Sequence, residues 1–118
     1  MGLFRQQIEV ANLDRETSLQ ISAVVDTGSF YMMLPTHVLR ALRVEPLDSR
    51  VFELADGSLV EMEYGHVWVT IGDQRIITIV TFGDNEGPSL LGAYTLEGLA
   101  LAVDPVGERL VPRTLLLV

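Results

Sequence analysis

The stretch that decides the fold is Ala23 to Leu34, "AVVDTGSFYMML", in which a single aspartate closes an apolar run. Residues 17–25 alternate apolar and polar side chains and then become wholly apolar, which predicts a β-strand that enters the core as it approaches Asp26. An ionised carboxylate in apolar surroundings must be paired, hydrogen-bonded or protonated, because the burial of charge is costly. Asp26 therefore either ends a strand in a turn or is the residue around which the chain is organised.

Composition narrows the classes of protein that this sequence can be. The chain has 118 residues, 48% of them hydrophobic, which predicts one globular domain over residues 1–118. The formal net charge of −8 argues against nucleic acid or an anionic membrane as a partner, because both require a basic face. The sequence has no lysine and no cysteine, which excludes Schiff-base chemistry, disulfides and thiolate metal sites. The N-terminus lacks an apolar stretch of signal length, so we expect a cytoplasmic protein.

The remaining pattern predicts a mainly β fold with two short helices. Residues 3–13 read as the hairpin partner of the strand that leads to Asp26, and Pro35 opens a short segment with apolar residues at helical spacing. The dipeptide Asp56-Gly57 separates two strand-like runs, which is a strong hairpin signal. A second helix is expected to begin near Ala93, and a closing hairpin follows it.

One strand changes the parity of its apolar residues at Gly65. Before this glycine Val60 and Met62 share a face, whereas after it Val67 and Val69 occupy the opposite parity. A phase change at a glycine is typical of a β-bulge or a sharp strand bend, so we expect one of these at Gly65.

Most catalytic classes can be eliminated from the residues. His37 and His66 are too few and too far apart for a convincing metal site, so no metal and no cofactor is predicted. No nucleophile elbow, phosphate-binding loop or dinucleotide fingerprint occurs. Glu61 and Glu63 are better explained as the solvated face of a strand than as a catalytic pair. The tripeptide that begins at Asp26, Asp-Thr-Gly, remains, although by itself it is weak evidence.

Three features in order make the pattern specific. "VVDTGS" at residues 24–29 is followed by "LADGS" at 54–58 and then by "SLLGAYTLEGLALAVD" at 89–104. In this order the sequence resembles the retropepsin-like aspartic proteases, the single-domain group that includes retroviral proteases and free-standing bacterial relatives. The first feature corresponds to their catalytic loop, the second to the flap, and the third to two apolar residues, a glycine and a helix.

The resemblance implies a closed acid-protease barrel half that works as an obligate homodimer. Peptide hydrolysis by aspartates needs two close carboxylates that share one proton, one acting as base and the other as acid. The chain has a single Asp-Thr-Gly motif, so the second Asp26 must come from another copy across a two-fold axis. The expected activity is that of an aspartic endopeptidase, with a peptide or protein as substrate.

The resemblance also assigns roles to the residues of the catalytic loop. Asp26 is expected to activate the attacking water, and Thr27 to form hydrogen bonds across the dimer. Gly28 lets the backbone approach the carboxylate, to which its amide can donate. Ser29 is expected to donate to the outer carboxylate oxygen and to contact substrate. For residues 30–33, "FYMM", a place in the core is preferred to the lining of a cleft.

The flap residues are the second expected contact with substrate. Ala55, Asp56, Gly57 and Ser58 are predicted to fold over the peptide, exclude water and orient its backbone. The retroviral enzymes have a glycine-rich flap tip, whereas this tip contains an added acid, Asp56. Their assignments of substrate subsites therefore do not transfer to this chain.

Two other interpretations remain open. The chain could be a non-catalytic peptide-binding or dimerisation module that keeps the acid-protease fold, because fold does not imply function. It could also be an unrelated small β domain in which Asp26 only caps a turn. The second interpretation must explain the Asp-Gly hairpin and the Leu-Leu-Gly helix start as well.

Overall fold

The structure, a computed structural model, describes residues 3–118, so Met1 and Gly2 of the predicted domain lie outside it. The described residues form nine β-strands and two short helices, as the mainly β prediction requires. In chain order the elements are β1 (Phe4–Ala11), β2 (Ser18–Val25), β3 (Met32–Pro35), α1 (Thr36–Ala41), β4 (Asp48–Glu53), β5 (Leu59–Ile71), β6 (Gln74–Gly83), β7 (Leu90–Leu91), α2 (Ala93–Gly98), β8 (Leu101–Asp104) and β9 (Arg109–Pro112).

Backbone pairings join six of these strands into a ring. The order is β1-β2-β7-β3-β6-β5, and β1 also pairs with β5, so the hydrogen-bonded ladder returns to its starting strand. β4 pairs with β5 outside this ring, and β8 and β9 form a separate hairpin. The buried apolar side chains come from the strands of the ring, from both helices and from the segments that directly follow the helices. A ring of this kind leaves few unpaired strand edges around the core.

The strand that leads to Asp26 becomes progressively buried along its length. In β2, Leu19 is exposed, Ile21 is half-buried, and Ala23 and Val25 are buried. These side chains alternate with residues on the other face, because successive strand residues point to opposite sides. The predicted strand entering the core is confirmed, and its last residue delivers Asp26 to the edge of the core.

Both predicted helices are present and short. α1 begins at Thr36, directly after Pro35, whose fixed φ suits the entry to a helix. α2 begins at Ala93, as expected. Across residues 3–118 neither helix approaches the length or apolar character that crossing a bilayer would require.

The β4–β5 hairpin around Asp56-Gly57 is confirmed. Of the two alternatives expected at Gly65, the β-bulge is wrong, and the strand bend stays a prediction. The β5–β6 register runs without interruption from Tyr64 opposite Thr81 to Ile71 opposite Gln74. β5 leaves the ring at this point and continues as one arm of the hairpin. The buried face therefore changes because the surroundings of the strand change, and no residue is inserted.

Candidate active site

The position of Asp26 is set by two strands that lie side by side. β2 and β7 run parallel, with Val25 opposite Leu91. The backbone amide of Asp26 donates to the carbonyl oxygen of Leu91 over 3.0 Å, so the pairing continues one residue beyond β2. Asp26 is half-buried at the point where the chain leaves the core. The "DTGS" and "LLG" features, far apart in sequence, are therefore direct neighbours.

The carboxylate of Asp26 is oriented by its own loop. The amide of Gly28 donates to Asp26 Oδ1 over 2.9 Å, and the amide of Ser29 donates to the Asp26 carbonyl oxygen over 3.1 Å. A Cβ atom at Gly28 would lie 3.2 Å from the same carboxylate oxygen, closer than most side chains tolerate. The predicted donation from the Gly28 amide is confirmed, and it fixes the direction in which the carboxylate points.

Gly92 packs closely against the backbone of the loop that follows Asp26. A Cβ atom at this position would lie 2.6 Å from the carbonyl oxygen of Ser29 and 2.7 Å from those of Phe30 and Tyr31. Because the two backbone segments lie so close, the amide of Ala93 donates to the Ser29 carbonyl oxygen over 2.9 Å. The amide of Tyr94 donates to the Phe30 carbonyl oxygen over the same distance. The glycine after the two leucines is thus required by the close contact of two backbone segments.

The two hydroxyl residues of the loop differ in their positions. Thr27 is exposed, and its predicted hydrogen bond across a dimer stays a prediction. Ser29 donates from Oγ to the carbonyl oxygen of Tyr31 over 3.0 Å. The single hydroxyl proton of Ser29 is donated to this carbonyl oxygen, so the expected donation from Ser29 to the Asp26 carboxylate is wrong in this structure.

The tip of the β4–β5 hairpin forms a compact turn. The amide of Leu54 donates to the Ser58 carbonyl oxygen over 2.8 Å, and Gly57 adopts a φ of 85° that favours glycine. The Ser58 hydroxyl and amide both donate to Asp56 Oδ1, over 2.6 and 2.9 Å. These hydrogen bonds, that of the hydroxyl first, lower the pKa of Asp56 below its ordinary value. The added acid of the tip therefore stabilises the turn itself.

The hairpin tip and the Asp26 loop line one cleft. This cleft has a volume of about 350 Å³, and its lining residues are Asp26, Gly28, Ser29, Glu53, Leu54 and Ala55. Of the four predicted tip residues, only Ala55 lines it, whereas Asp56, Gly57 and Ser58 lie in the exposed turn beyond. Leu54, the first residue of the predicted flap feature, also lines the cleft. Glu53 lines it without having been predicted, because no local pattern shows which hairpin residues face a distant loop.

A second cavity of about 300 Å³ adjoins the first and has apolar and aromatic walls. It shares Gly28, Ser29, Glu53 and Leu54 with the first, and its other lining residues are Phe30, Tyr31, Met33, Phe52, Met62, Thr81 and Leu90. Residues 30–33 are expected from the sequence to lie in the core. This prediction is confirmed for Met32, which is fully buried, and wrong for Phe30, which is 62% exposed. The sequence signal that could have indicated this cavity is the pair of aromatic residues directly after "DTGS".

Aromatic contacts connect the loop after Asp26 to its surroundings. The ring of Tyr31 lies 5.8 Å from that of Phe52 on β4 and 5.5 Å from that of Tyr94 on α2, both edge to face. Phe30 contacts Tyr31 and Tyr94 at 5.2 and 5.7 Å. Such pairs prefer tilted and edge-on geometries because of the quadrupoles of the rings. The aromatic group therefore joins the Asp26 loop, the hairpin and the helix that follows Gly92.

The histidines lie away from the cleft. His37 is exposed and contacts the Asn85 side chain, and His66 lines a separate cavity beside the β1–β2 turn. Among residues 3–118 no group of three or more histidine, cysteine or acidic side chains is arranged to hold a metal ion.

Comparison with solved structures decides the fold. The chain superposes on the solution structure of the simian foamy virus (mac) protease with a TM-score of 0.54 at 14% identity, over 80% of this chain and 94% of that one. It superposes on the EIAV protease complexed with the inhibitor HBY-793 with a TM-score of 0.62 at 17% identity, over 93% of each chain. The chain has the retropepsin-like fold. The sequence matches no protein-family model and no curated protein, so the likeness rests on structure.

The retropepsin-like fold accounts for the order of the three sequence features. It brings the hairpin of residues 54–58 and the loop of residues 24–29 to one cleft, and residues 89–92 pair with the backbone of that loop, although more than twenty residues separate each feature from the next. The resemblance proposed from these features is thereby confirmed at the level of fold. At identities of 14% and 17%, the likeness carries no assignment of individual residues.

Proposed function

We propose that the chain is an aspartic endopeptidase in which the Asp26 carboxylates of two copies activate one water molecule. The observation that carries the proposal is the setting of Asp26. Asp26 is half-buried, its carboxylate accepts a hydrogen bond from the Gly28 amide over 2.9 Å, and it lines a cleft that residues of the β4–β5 hairpin also line. A turn-capping aspartate would need no such cleft. Both neighbours described above are proteases with this fold, which supports the same conclusion.

Two carboxylates are needed because one group must accept a proton while the other donates one. The base removes a proton from water as it attacks the scissile carbonyl, and the acid protonates the leaving nitrogen. The cleft contains one other carboxylate of the same chain, that of Glu53, which lies on the hairpin opposite Asp26. A second copy related by a two-fold axis supplies an identical Asp26, so that the two groups titrate as a coupled pair.

The surface of the chain supports association with a second copy. Leu116 and Leu117 are 92% and 93% exposed, and Leu115 and Val118 beside them are exposed as well. Contiguous exposed apolar residues commonly mark an interaction site, because burying them against a partner is favourable. In the proposed dimer this segment is buried, and Thr27 of each copy braces the two Asp26 loops.

The hairpin completes the proposed site. Residues 54–58 close over the peptide, exclude water and position its backbone beside the carboxylates. Ala55 contacts the peptide directly, while Asp56, Gly57 and Ser58 maintain the shape of the tip.

The test compares two isosteric variants on a library of internally quenched peptides from acidic to neutral pH. Asp26→Asn should lower turnover by about a hundredfold or more, because it removes a general acid–base group with little change of shape. The matched control is Asp73→Asn, which makes the same chemical change in the exposed β5–β6 turn and should leave turnover unaltered. Full activity of Asp26→Asn would contradict the proposal.

Co-refolding tests whether two chains share one site. When wild type and Asp26→Asn are unfolded and refolded together in equal amounts, activity per wild-type chain should fall to roughly half, because half of those chains acquire an inactive partner. A monomeric enzyme would show no loss. If wild type cleaves no peptide but binds peptides, the non-catalytic module is the correct interpretation.

A further inference from the structure

Glu53 occupies a position in the cleft that the proposed catalytic pair does not use. It is the last residue of β4, it is exposed, and it lines both the cleft at Asp26 and the adjoining aromatic-walled cavity. We propose that Glu53 selects peptides in which a lysine or arginine lies next to the apolar side chain that fills the aromatic-walled cavity. This inference rests on the proposed function, because it takes a peptide as the ligand of the cleft.

The charged residues that line the cleft have one sign. Asp26 and Glu53 are the charged residues that line the two cavities, and neither lysine nor arginine is among the lining residues. A third cavity of about 460 Å³ shares Met33, Leu54 and Met62 with the second, and its charged lining residues are also acids: Glu61, Glu63 and Asp84. A cleft with charges of one sign attracts ligands of the opposite sign and repels like-charged ones.

No cation within residues 3–118 is paired with Glu53. The ion pair formed by these residues joins Arg109 to Asp104 in the β8–β9 hairpin. Arg50, three residues before Glu53, donates to the Tyr31 hydroxyl over 2.7 Å and lies over the ring of Tyr64 at 4.4 Å. The guanidinium of Arg50 is thus held by other groups, and the Glu53 carboxylate is left for a ligand.

The walls of the adjoining cavity suit the rest of a basic peptide. Phe30, Tyr31, Phe52 and Met33 offer apolar surface next to the Glu53 carboxylate. Lysine and arginine have apolar stems and charged ends, so their stems can lie along such a wall while the charge reaches the acid. An aspartate or glutamate in the same place would bring two like charges together in the cleft. The ligand is therefore an extended peptide with an apolar residue flanked by a basic one.

Binding to Asp26→Asn tests the inference separately from cleavage. The probes are fluorescein-labelled decapeptides of alanine with a central Phe-Leu pair, identical except for one lysine or one glutamate scanned along the flanking positions. Fluorescence anisotropy measures their affinities at about 0.05 M and about 0.5 M salt, since screening weakens exposed charge pairs. The same measurements are made on Asp26→Asn combined with Glu53→Gln and, as a matched control, with Glu16→Gln in the exposed β1–β2 turn.

At the best position the lysine peptide should bind about fivefold more tightly than the glutamate peptide at low salt, the upper range for an exposed ion pair. Glu53→Gln should abolish this preference and Glu16→Gln should retain it. Equal affinities, absence of binding by every probe, or a preference that survives Glu53→Gln would overturn the inference. Peptides bound with the preference but never cleaved by wild type would refute the proposed function alone. Cleavage by wild type without any charge preference would refute only this inference.

Discussion

The guanidinium of Arg50 donates a hydrogen bond to the hydroxyl of Tyr31 over 2.7 Å, joining strand β4 of the hairpin to the loop that follows Asp26. The ring of Tyr31 also meets that of Phe52 on the same strand at 5.8 Å. These contacts attach the base of the hairpin to the candidate catalytic loop within a single chain. These contacts do not involve the hairpin tip, so they fix the base of the hairpin and leave the position of the tip to its own turn.

Removing the Tyr31 hydroxyl should loosen this attachment. Tyr31→Phe keeps the ring contacts but removes the acceptor for Arg50, at a cost of about 1 kcal/mol for a partly exposed hydrogen bond. Hydrogen exchange of the β4 amides should become faster, while the ring β1-β2-β7-β3-β6-β5 keeps its protection. The control is Tyr94→Phe in the same aromatic group. Unchanged exchange in β4 would show that the hydrogen bond does not hold the hairpin.

Gly92 should be the least replaceable glycine of the candidate site. In Gly92→Ala the new Cβ would lie 2.6 Å from the Ser29 carbonyl oxygen, so the backbone must move at a cost of about 3 kcal/mol. Gly57→Ala meets nothing within 4 Å and suffers only from its positive φ, so it should cost about 1 kcal/mol. Chemical denaturation measures both free energies of unfolding. Equal losses would contradict the close contact at Gly92.

The hairpin tip should respond to pH through Asp56. Because hydrogen bonds from Ser58 lower the pKa of Asp56 in the folded state, the turn is stabilised at pH values above the ordinary 3.8. That stabilisation is lost as pH falls through the lowered pKa. Carboxyl NMR should give an Asp56 midpoint below 3.8, and Ser58→Ala should bring it back towards that value. A midpoint at or above 3.8 in the wild type would contradict the turn geometry.

A buried pair of hydroxyls connects α2 to β6, and its two halves should be energetically coupled. Thr78 Oγ1 and Thr95 Oγ1 lie 2.8 Å apart, and both residues are buried. Thr95→Val should cost about 1–3 kcal/mol, because it leaves the Thr78 hydroxyl without a partner in the core. The double variant Thr78→Val/Thr95→Val should be less destabilised than the single one, as unfolding in urea would show. Additive losses would mean that the hydroxyls act independently.

Local sequence determined most of the elements of the fold. Three local signals predicted elements that the structure contains. Alternation over residues 17–25 predicted a strand, the Asp56-Gly57 dipeptide predicted a hairpin, and the Leu-Leu-Gly run predicted the start of a helix. These signals depend on neighbours within a few residues, so they can be recognised without knowing the rest of the chain. Their order along the sequence was enough to indicate the retropepsin-like fold.

Tertiary structure decided what surrounds Asp26. The Ser29 hydroxyl bonds to the Tyr31 carbonyl oxygen, Phe30 is exposed at a cavity, and Glu53 faces the cleft from a hairpin more than twenty residues away. The parity change at Gly65 likewise came from a strand leaving the ring. Burial and hydrogen-bond partners at such positions depend on which distant segments of the chain come into contact. Those contacts form only when strands that are far apart in sequence pair with one another. The sequence alone determined that Asp26 follows a strand that enters the core, and packing determined which residues surround its carboxylate.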